Sequence, residues 1–395
     1  MSLERTHPDL RVLDLSENIA GPLACMILGD LGADVIKIER PGTGEATRDL
    51  PPRWGLESTV FLTMNRNKRS VALDLRTPQG REAVLRVARG ADVVVESFRP
   101  GVANRLGLGF EDFRRVSPSV VHCSVSAFGE RALGHDRPGY DALVQAFTGI
   151  MAMTGEQDGR PARAAPSVVD ISTGLWAAIS IQAALARRTG GGAEQLRVSL
   201  VDSGFFLLAH QIMGYLGSGV FPGRLGSAAP STAPYEAFST ADGSIMVAAA
   251  TDRLFARLCA VLKLDRLVAD GRFRTVADRV VNRAVLSEII EGRLRTAGSE
   301  HWLEEIAAAG VPVGPVNDLA AALAHPVTTE RGIVRDALDG RIPGLKQIRL
   351  PIDEHARCSM RQPPALGAHT EEVLTEAGLS EAEIGRLVAP MERTA

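Results

Sequence analysis

Cysteine is scarce and scattered. The four cysteines of this 395-residue chain, Cys25, Cys123, Cys259 and Cys358, form no Cys-x-x-Cys pair and have no histidine nearby at ligand spacing. This excludes a zinc module or a disulfide framework and points to reduced thiols in a cytoplasmic protein without a metal site. Basic charge is not in excess either. Lys and Arg number 44 against 47 Asp and Glu, for a net charge of −3, so no nucleic-acid partner is expected. No apolar run reaches about 18 residues without a charge, and the opening MSLERTHPDL has no apolar stretch, so neither a membrane span nor a secretory leader is expected. Signature loops are missing as well. The stretch after the first expected strand reads SENIAGP, with no G-x-G-x-x-G, which excludes the usual dinucleotide cofactor site. There is no G-x-x-x-x-G-K-[ST] for a nucleoside triphosphate, no H-E-x-x-H and no G-x-S-x-G.

What is present is an ordinary globular composition, 45% hydrophobic and 23% charged, long enough for two domains. The first 130 residues alternate between two hydrophobic periods. Short apolar, β-branched runs at 11–17, 34–41, 71–76, 92–98 and 120–129 read as strands, and 21–33 and 77–91 read as helices. Strands joined by helices imply an α/β fold with a mostly parallel sheet covered on both faces. Ligands then belong beyond the carboxyl ends of the strands. A further strand and helix follow at 197–210. The Gly-, Pro-, Ser- and Ala-rich stretch 217–234 reads as a linker, and YEAFSTADGSIMVAAA as a hairpin turning at Asp242–Gly243. Helical patterns at 253–263, 277–296 and 300–309 complete a small α+β domain. The expected organisation is a large domain over 1–216, the linker 217–234, a small domain over 235–310, and a return over 311–395 to the large domain, ending in an amphipathic helix at 370–389.

Seven cations fall at or near expected strand ends and loops of the first domain: Arg40, Arg48, Lys68, Arg69, Arg76, Arg99 and Arg105. Guanidinium forks suit phosphates. With no phosphate-cradling glycine loop, coenzyme A is a fitting ligand, because it carries a pyrophosphate and a 3′-phosphate. The decapeptide APSVVDISTG holds one acid, Asp170, before a strongly apolar helix. Asp170 reads as the N-cap of that helix, with Ser172 and Thr173 following and glycines at 190–192 as the stop. A carboxylate there is held ionised by the helix dipole and is a possible nucleophile, so the two readings are compatible.

Six segments in order resemble the class III CoA-transferases, the CaiB/BaiF family: AGPLACMILGDLGADVIKIERPGTGEATR, MNRNKRSVALDLRTPQGRE, ADVVVESFRPGVANRLGLGFEDF, RPGYDALVQAFTGIMAMTG, VDISTG and AGVPVGPVND. The resemblance implies a Rossmann-like large domain built from both chain ends, a small α+β domain between them, and an interlocked homodimer. It implies transfer of CoA from an acyl-CoA to a free carboxylic acid, possibly a dicarboxylate. Neither membrane nor nucleic acid takes part, and no cofactor is bound permanently. The family's nucleophile maps to Asp170 and its CoA contacts to Ala20, Arg40, Leu73, Arg76, Ser97, Phe98, Arg105 and Tyr140. Ser97 stands where a relative carries Asn, and Arg76 where it carries Lys. The family's racemases are the alternative. They use a His in a GHD triplet, which here is Gly139–Tyr140–Asp141, and Tyr is a poor base near neutrality. Asp252 lies near an acid of the racemase chemistry, but its other reading, a helix N-cap, is preferred. For a racemase lacking that His, Asp252 or His135 would have to be the base. Arg160 or Arg224 could pair a substrate's distal carboxylate, though each also reads as a surface charge.

Overall fold

The computed structural model describes residues 2–131, 133–188, 191–221, 223–352 and 358–388. Six segments form an all-parallel sheet: β1 (Arg11–Leu15), β2 (Asp34–Glu39), β3 (Lys68–Ala72), β4 (Val93–Glu96), β5 (Val121–Ser126) and β6 (Glu194–Ser199). Their order is β3-β2-β1-β4-β5-β6. Strands β1, β2, β4 and β5 are buried over nearly their whole length, as a sheet covered on both faces requires.

Alternation divides the apolar side chains between the two faces. On one face Leu13, Leu15, Ile36, Ile38, Val71 and Val94 share a core with Ala83, Val84 and Val87 of α2 (Pro78–Ala88). Val373 and Leu374 of the helix Thr370–Glu376 join that core, so both chain ends build this unit. On the other face lies α1 (Ala20–Asp30), buried at every residue, which follows β1 and packs on β1 and β2.

Strand β3 starts three residues before the expected run at 71–76. The reason lies in its opening residue. Lys68 is buried, and its ammonium is neutralised by Asp14 of β1 at 2.8 Å, so a charge inside a strand misled the hydrophobic pattern. Leu73 and Arg76 consequently lie beyond the strand.

Two compact units divide the chain. The first comprises Met1–Thr148, Ala165–Ala209 and Thr329–Ala395, and holds the parallel sheet. The second comprises Gly149–Ala164 and His210–Thr328. It contains the hairpin β7 (Tyr235–Ser239) and β8 (Ser244–Ala248), with the N–H of Gly243 bonded to Thr240 Oγ1 in the turn. The segment AGVPVGPVND, read from sequence as part of a return connection, carries β9 (Val313–Pro315). This strand pairs antiparallel with β8 and completes a three-stranded sheet. Helices at Asp252–Leu262, Arg283–Leu294 and Ser299–Ala308 cover the unit's own core around Phe238, Phe255, Leu258 and Trp302.

The remaining helices used below belong to the first unit: α3 (Val102–Leu106), α4 (Phe110–Val116), α5 (Asp141–Thr148), α6 (Val168–Ala186) and α7 (Leu200–Leu207). Helix α6 has the length and composition of a membrane span, yet it packs against α1, β5, β6 and α7. It ends at Ala186, and Gly190 of the expected stop lies outside the described residues.

Candidate active site

In a doubly wound sheet a crevice opens where neighbouring strands feed helices on opposite faces. Here the strand order reverses between β1 and β4. A cavity of about 500 Å³ lies at their carboxyl ends. Glu17–Gly21 wall it after β1, Ser97–Pro100 after β4, and Ser126–Ala127 at the end of β5. Arg40, Arg137, Tyr140 and Asp170 line it as well.

Helix α1 opens directly onto this cavity. Asn18 takes a left-handed φ of 71°, turning the chain sharply before Ala20 begins the helix. Residue 19 supplies no side-chain cap, and the first N–H groups of a helix have no carbonyl four residues back. The turn is held from below: buried Lys37 donates to the Ser16 carbonyl at 2.8 Å and pairs with Glu45 at 2.7 Å.

Asp170 stands in the first turn of α6, whose N-cap is Ser167. It is therefore not the N-cap expected from sequence. The capping carboxylate comes from elsewhere: Asp141, at the start of α5, accepts the N–H groups of Val169 at 2.8 Å and Asp170 at 3.2 Å. Burial, with the nearby Asp141 charge second, pushes the Asp170 pKa up to about 7. This corrects the expectation of a carboxylate held firmly ionised. Helix α6 comes close to α1 at Gly174, where a Cβ would stand 2.7 Å from the Ala20 carbonyl oxygen and 3.0 Å from the Leu23 side chain. The glycine of VDISTG thus lets the helix carrying Asp170 approach the open end of α1.

The cavity gathers Ala20, Arg40, Ser97, Phe98, Tyr140 and Asp170 from the residues singled out in the sequence. Leu73 is buried just past β3, Arg76 is exposed and paired with Asp74 at 2.8 Å, and Arg105 sits on α3, so these three are not in its wall. Of the seven cations, Arg40 and Arg99 line the cavity. Arg40 is bonded to Glu17 at 3.1 Å. Three others have structural partners: Lys68 with Asp14, Arg48 with Glu39 at 2.6 Å, and Arg69 with Asp34 at 2.6 Å. Lys68 and Arg69 open β3 and so lie toward the end of the sheet away from the cavity.

Asp252 and Arg279 form an ion pair at 2.8 Å in the second unit, with the guanidinium fully buried. The N-cap of that helix is Thr251, whose Oγ1 accepts the Leu254 N–H, and not Asp252. Arg224 donates to the carbonyls of Glu156 and Ala152, while Arg160 is exposed. His135 bonds Asp136 and faces a different cavity. Sequence reading gave no role to Glu17, Arg137 or Asp141, the last named only as part of the Gly139–Tyr140–Asp141 triplet. Asp141 offered one signal: an acid at the first position of a helix, four residues before Gln145, with which it is hydrogen-bonded.

A family model described as CoA-transferase family III matches residues 8–370. The human succinyl-CoA:glutarate CoA-transferase is 37% identical over 373 residues, spanning 93% of this chain and 85% of that protein. An acetyl-CoA:oxalate CoA-transferase from Acetobacter aceti is 38% identical over 338 residues, spanning 85% of this chain and 87% of its own length. The crystal structure of a CaiB/BaiF family protein from Brucella suis superposes with a TM-score of 0.83 at 36% identity, covering 93% of this chain and 98% of the other.

Proposed function

The chain belongs to CoA-transferase family III and is a CoA-transferase, and on that premise we propose that Asp170 is the residue on which the transfer is carried out. One observation carries this. Two carboxylates line the cavity, and Glu17 is neutralised by Arg40, whereas Asp170 has no cation against it among the described residues.

Coenzyme A enters as part of a substrate. The ionised Asp170 carboxylate attacks the thioester carbonyl of the donor. The tetrahedral adduct collapses to a mixed anhydride and expels the CoA thiolate. The thiolate then attacks the aspartyl carbonyl, giving an enzyme–CoA thioester and the free donor acid. The acceptor carboxylate attacks that thioester, forming a new anhydride and releasing thiolate once more. The thiolate takes the acyl group and leaves Asp170 as it began. Each step exchanges one acyl bond for another, so the thioester's energy is kept. Each tetrahedral intermediate carries an oxyanion, for which the open N–H groups at the start of α1 are suitable donors. Arg40, Ser97, Phe98 and Tyr140 hold the CoA portion, with Leu73, Arg76 and Arg105 farther along it. Tethering the thiolate beside the anhydride lets it outrun water.

A dicarboxylic acid is the proposed acceptor. Relatives named for glutarate, oxalate and mesaconate support this. So do Arg99 and Arg137, which line the cavity and form no ion pair among the described residues. A racemase reading gains nothing from the site: no histidine lines the cavity among the described residues, and Asp252 is bound to Arg279.

Intact-protein mass spectrometry tests the assignment. Incubation with succinyl-CoA should add the mass of the acyl group or of CoA to the wild type. Asp170→Asn should bind CoA, show neither adduct and lose more than 99% of turnover. Adduct formation in that variant would move the chemistry to another residue.

A further inference from the structure

Six carboxylates are buried among the described residues: Asp14, Asp30, Glu39, Glu45, Glu96 and Asp141. Four are neutralised by a neighbouring cation, through Asp14–Lys68 at 2.8 Å, Asp30–Arg66 at 2.6 Å, Glu39–Arg48 at 2.6 Å and Glu45–Lys37 at 2.7 Å. Glu96 and Asp141 have no such partner. Burying an acid without a cation is costly, and an apolar side chain at the same place would avoid the cost. Asp141 is accounted for by the amides of α6. Glu96 remains.

Glu96 ends β4, after three valines, and is 4% exposed. One carboxyl oxygen accepts the N–H of Phe98 at 2.8 Å, and the other accepts the hydroxyl of Ser124 on β5. Behind it lies a polar cavity of about 320 Å³, shared with His122 and Glu130. Burial, with the charge of Glu130 adding to it, pushes its pKa up to about 7. The tie continues toward the active site: Ser97 Oγ accepts the N–H of Glu17, joining the turn after β4 to the turn that opens α1. Ser124, Glu96, the Ser97–Phe98 backbone and Glu17 thus form one hydrogen-bonded run across the carboxyl ends of β5, β4 and β1.

We infer that Glu96 is a positioning residue for CoA transfer, fixing the Ser97–Phe98 turn in the wall of the cavity that holds Asp170. The inference rests on the reading of that cavity as the acyl-CoA site. Ser124 sets the rotation of the carboxyl, and the carboxyl sets the turn.

The test compares Glu96→Leu, Glu96→Gln and Ser124→Ala with the wild type, using succinyl-CoA as donor and glutarate as acceptor. Losing the carboxyl's hold on the Phe98 N–H should raise the KM for succinyl-CoA by about fivefold to tenfold in Glu96→Leu, with kcat changed less. Glu96→Gln keeps an acceptor for the Phe98 N–H and should stay within about threefold of wild type. Ser124→Ala should raise KM a few-fold, and this variant decides the matter alone if Glu96→Leu does not fold. Wild-type KM in both Glu96→Leu and Ser124→Ala overturns the inference, as does a fall in kcat at unchanged KM. If KM is also unchanged in Arg40→Ala and Ser97→Ala, the cavity reading falls with it. Sensitivity to Arg40 and Ser97 but not to Glu96 removes the inference alone.

Discussion

Asp170 answers two opposed demands. As a nucleophile it must be ionised, yet burial and Asp141 favour its protonated form and bring its pKa to about 7. Rate should therefore follow ionisation: kcat/KM for the donor should rise about tenfold per pH unit below 7 and level off above it. An initial-rate profile from pH 5.5 to 8.5 measures this, and a flat profile would contradict it. The same shift sets a stability relation of defined sign. The folded protein holds this proton more tightly than the unfolded chain, whose Asp titrates near 4. The cost of ionisation thus grows as pH rises from about 4 to about 7 and is constant above. Asp170→Asn, which cannot ionise, should be more stable than wild type by roughly 2–4 kcal/mol at pH 8 and about equal to it at pH 4. Denaturant titrations at the two pH values give the comparison. Sequence exposed the residue but not this environment, because Asp141 lies 29 positions away and neither cap nor charge effect is encoded locally.

The helices show how a single glycine sets the site. A Cβ at position 174 would meet the Ala20 carbonyl, a backbone atom that cannot swing aside. Alanine favours a helix interior over glycine by about 1 kcal/mol, but overpacking at such a crossing costs about 1–3 kcal/mol. Gly174→Ala should therefore lower the melting temperature modestly and reduce kcat at least tenfold, since Asp170 lies one turn away and is misplaced relative to α1. Unaltered kcat would show that the crossing does not position the nucleophile. Much of the element pattern was legible from sequence: the strands, α1, α2, α6 and the hairpin follow from periodicity, whereas the short helices α3, α4 and α5 were not read. It failed at β3, where Lys68 is a buried charge, and at the cations Lys68, Arg69 and Arg48, whose acidic partners come from distant segments. A guanidinium looks the same in sequence whether a phosphate or a buried glutamate awaits it.

For the whole molecule the telling surface is apolar. Leu175 and Ile179 of α6 and Phe205, Phe206 and Leu207 of α7 are substantially exposed, as are Met213, Tyr215 and Leu216 of the next helix, Ala209–Ser218, which has no buried residue. Within the first unit, the exposed apolar side chains of α6 and α7 call for a cover. We propose that a second copy of the chain supplies it, so sedimentation should give a dimer that persists on dilution and comes apart only with unfolding. A stable, soluble monomer at low concentration would contradict this. None of the exposure could be read from the sequence, where α6 looks like a core helix on every side.

Helix α6 carries Asp170 near its start and the uncovered Leu175 and Ile179 one and two turns on. The proposed nucleophile and an exposed apolar stripe therefore share one rod. A side chain changed at Leu175 or Ile179 therefore acts on the rod that seats the nucleophile, so Leu175→Ser should lower kcat as well as alter association, and a kcat equal to wild type would separate the two.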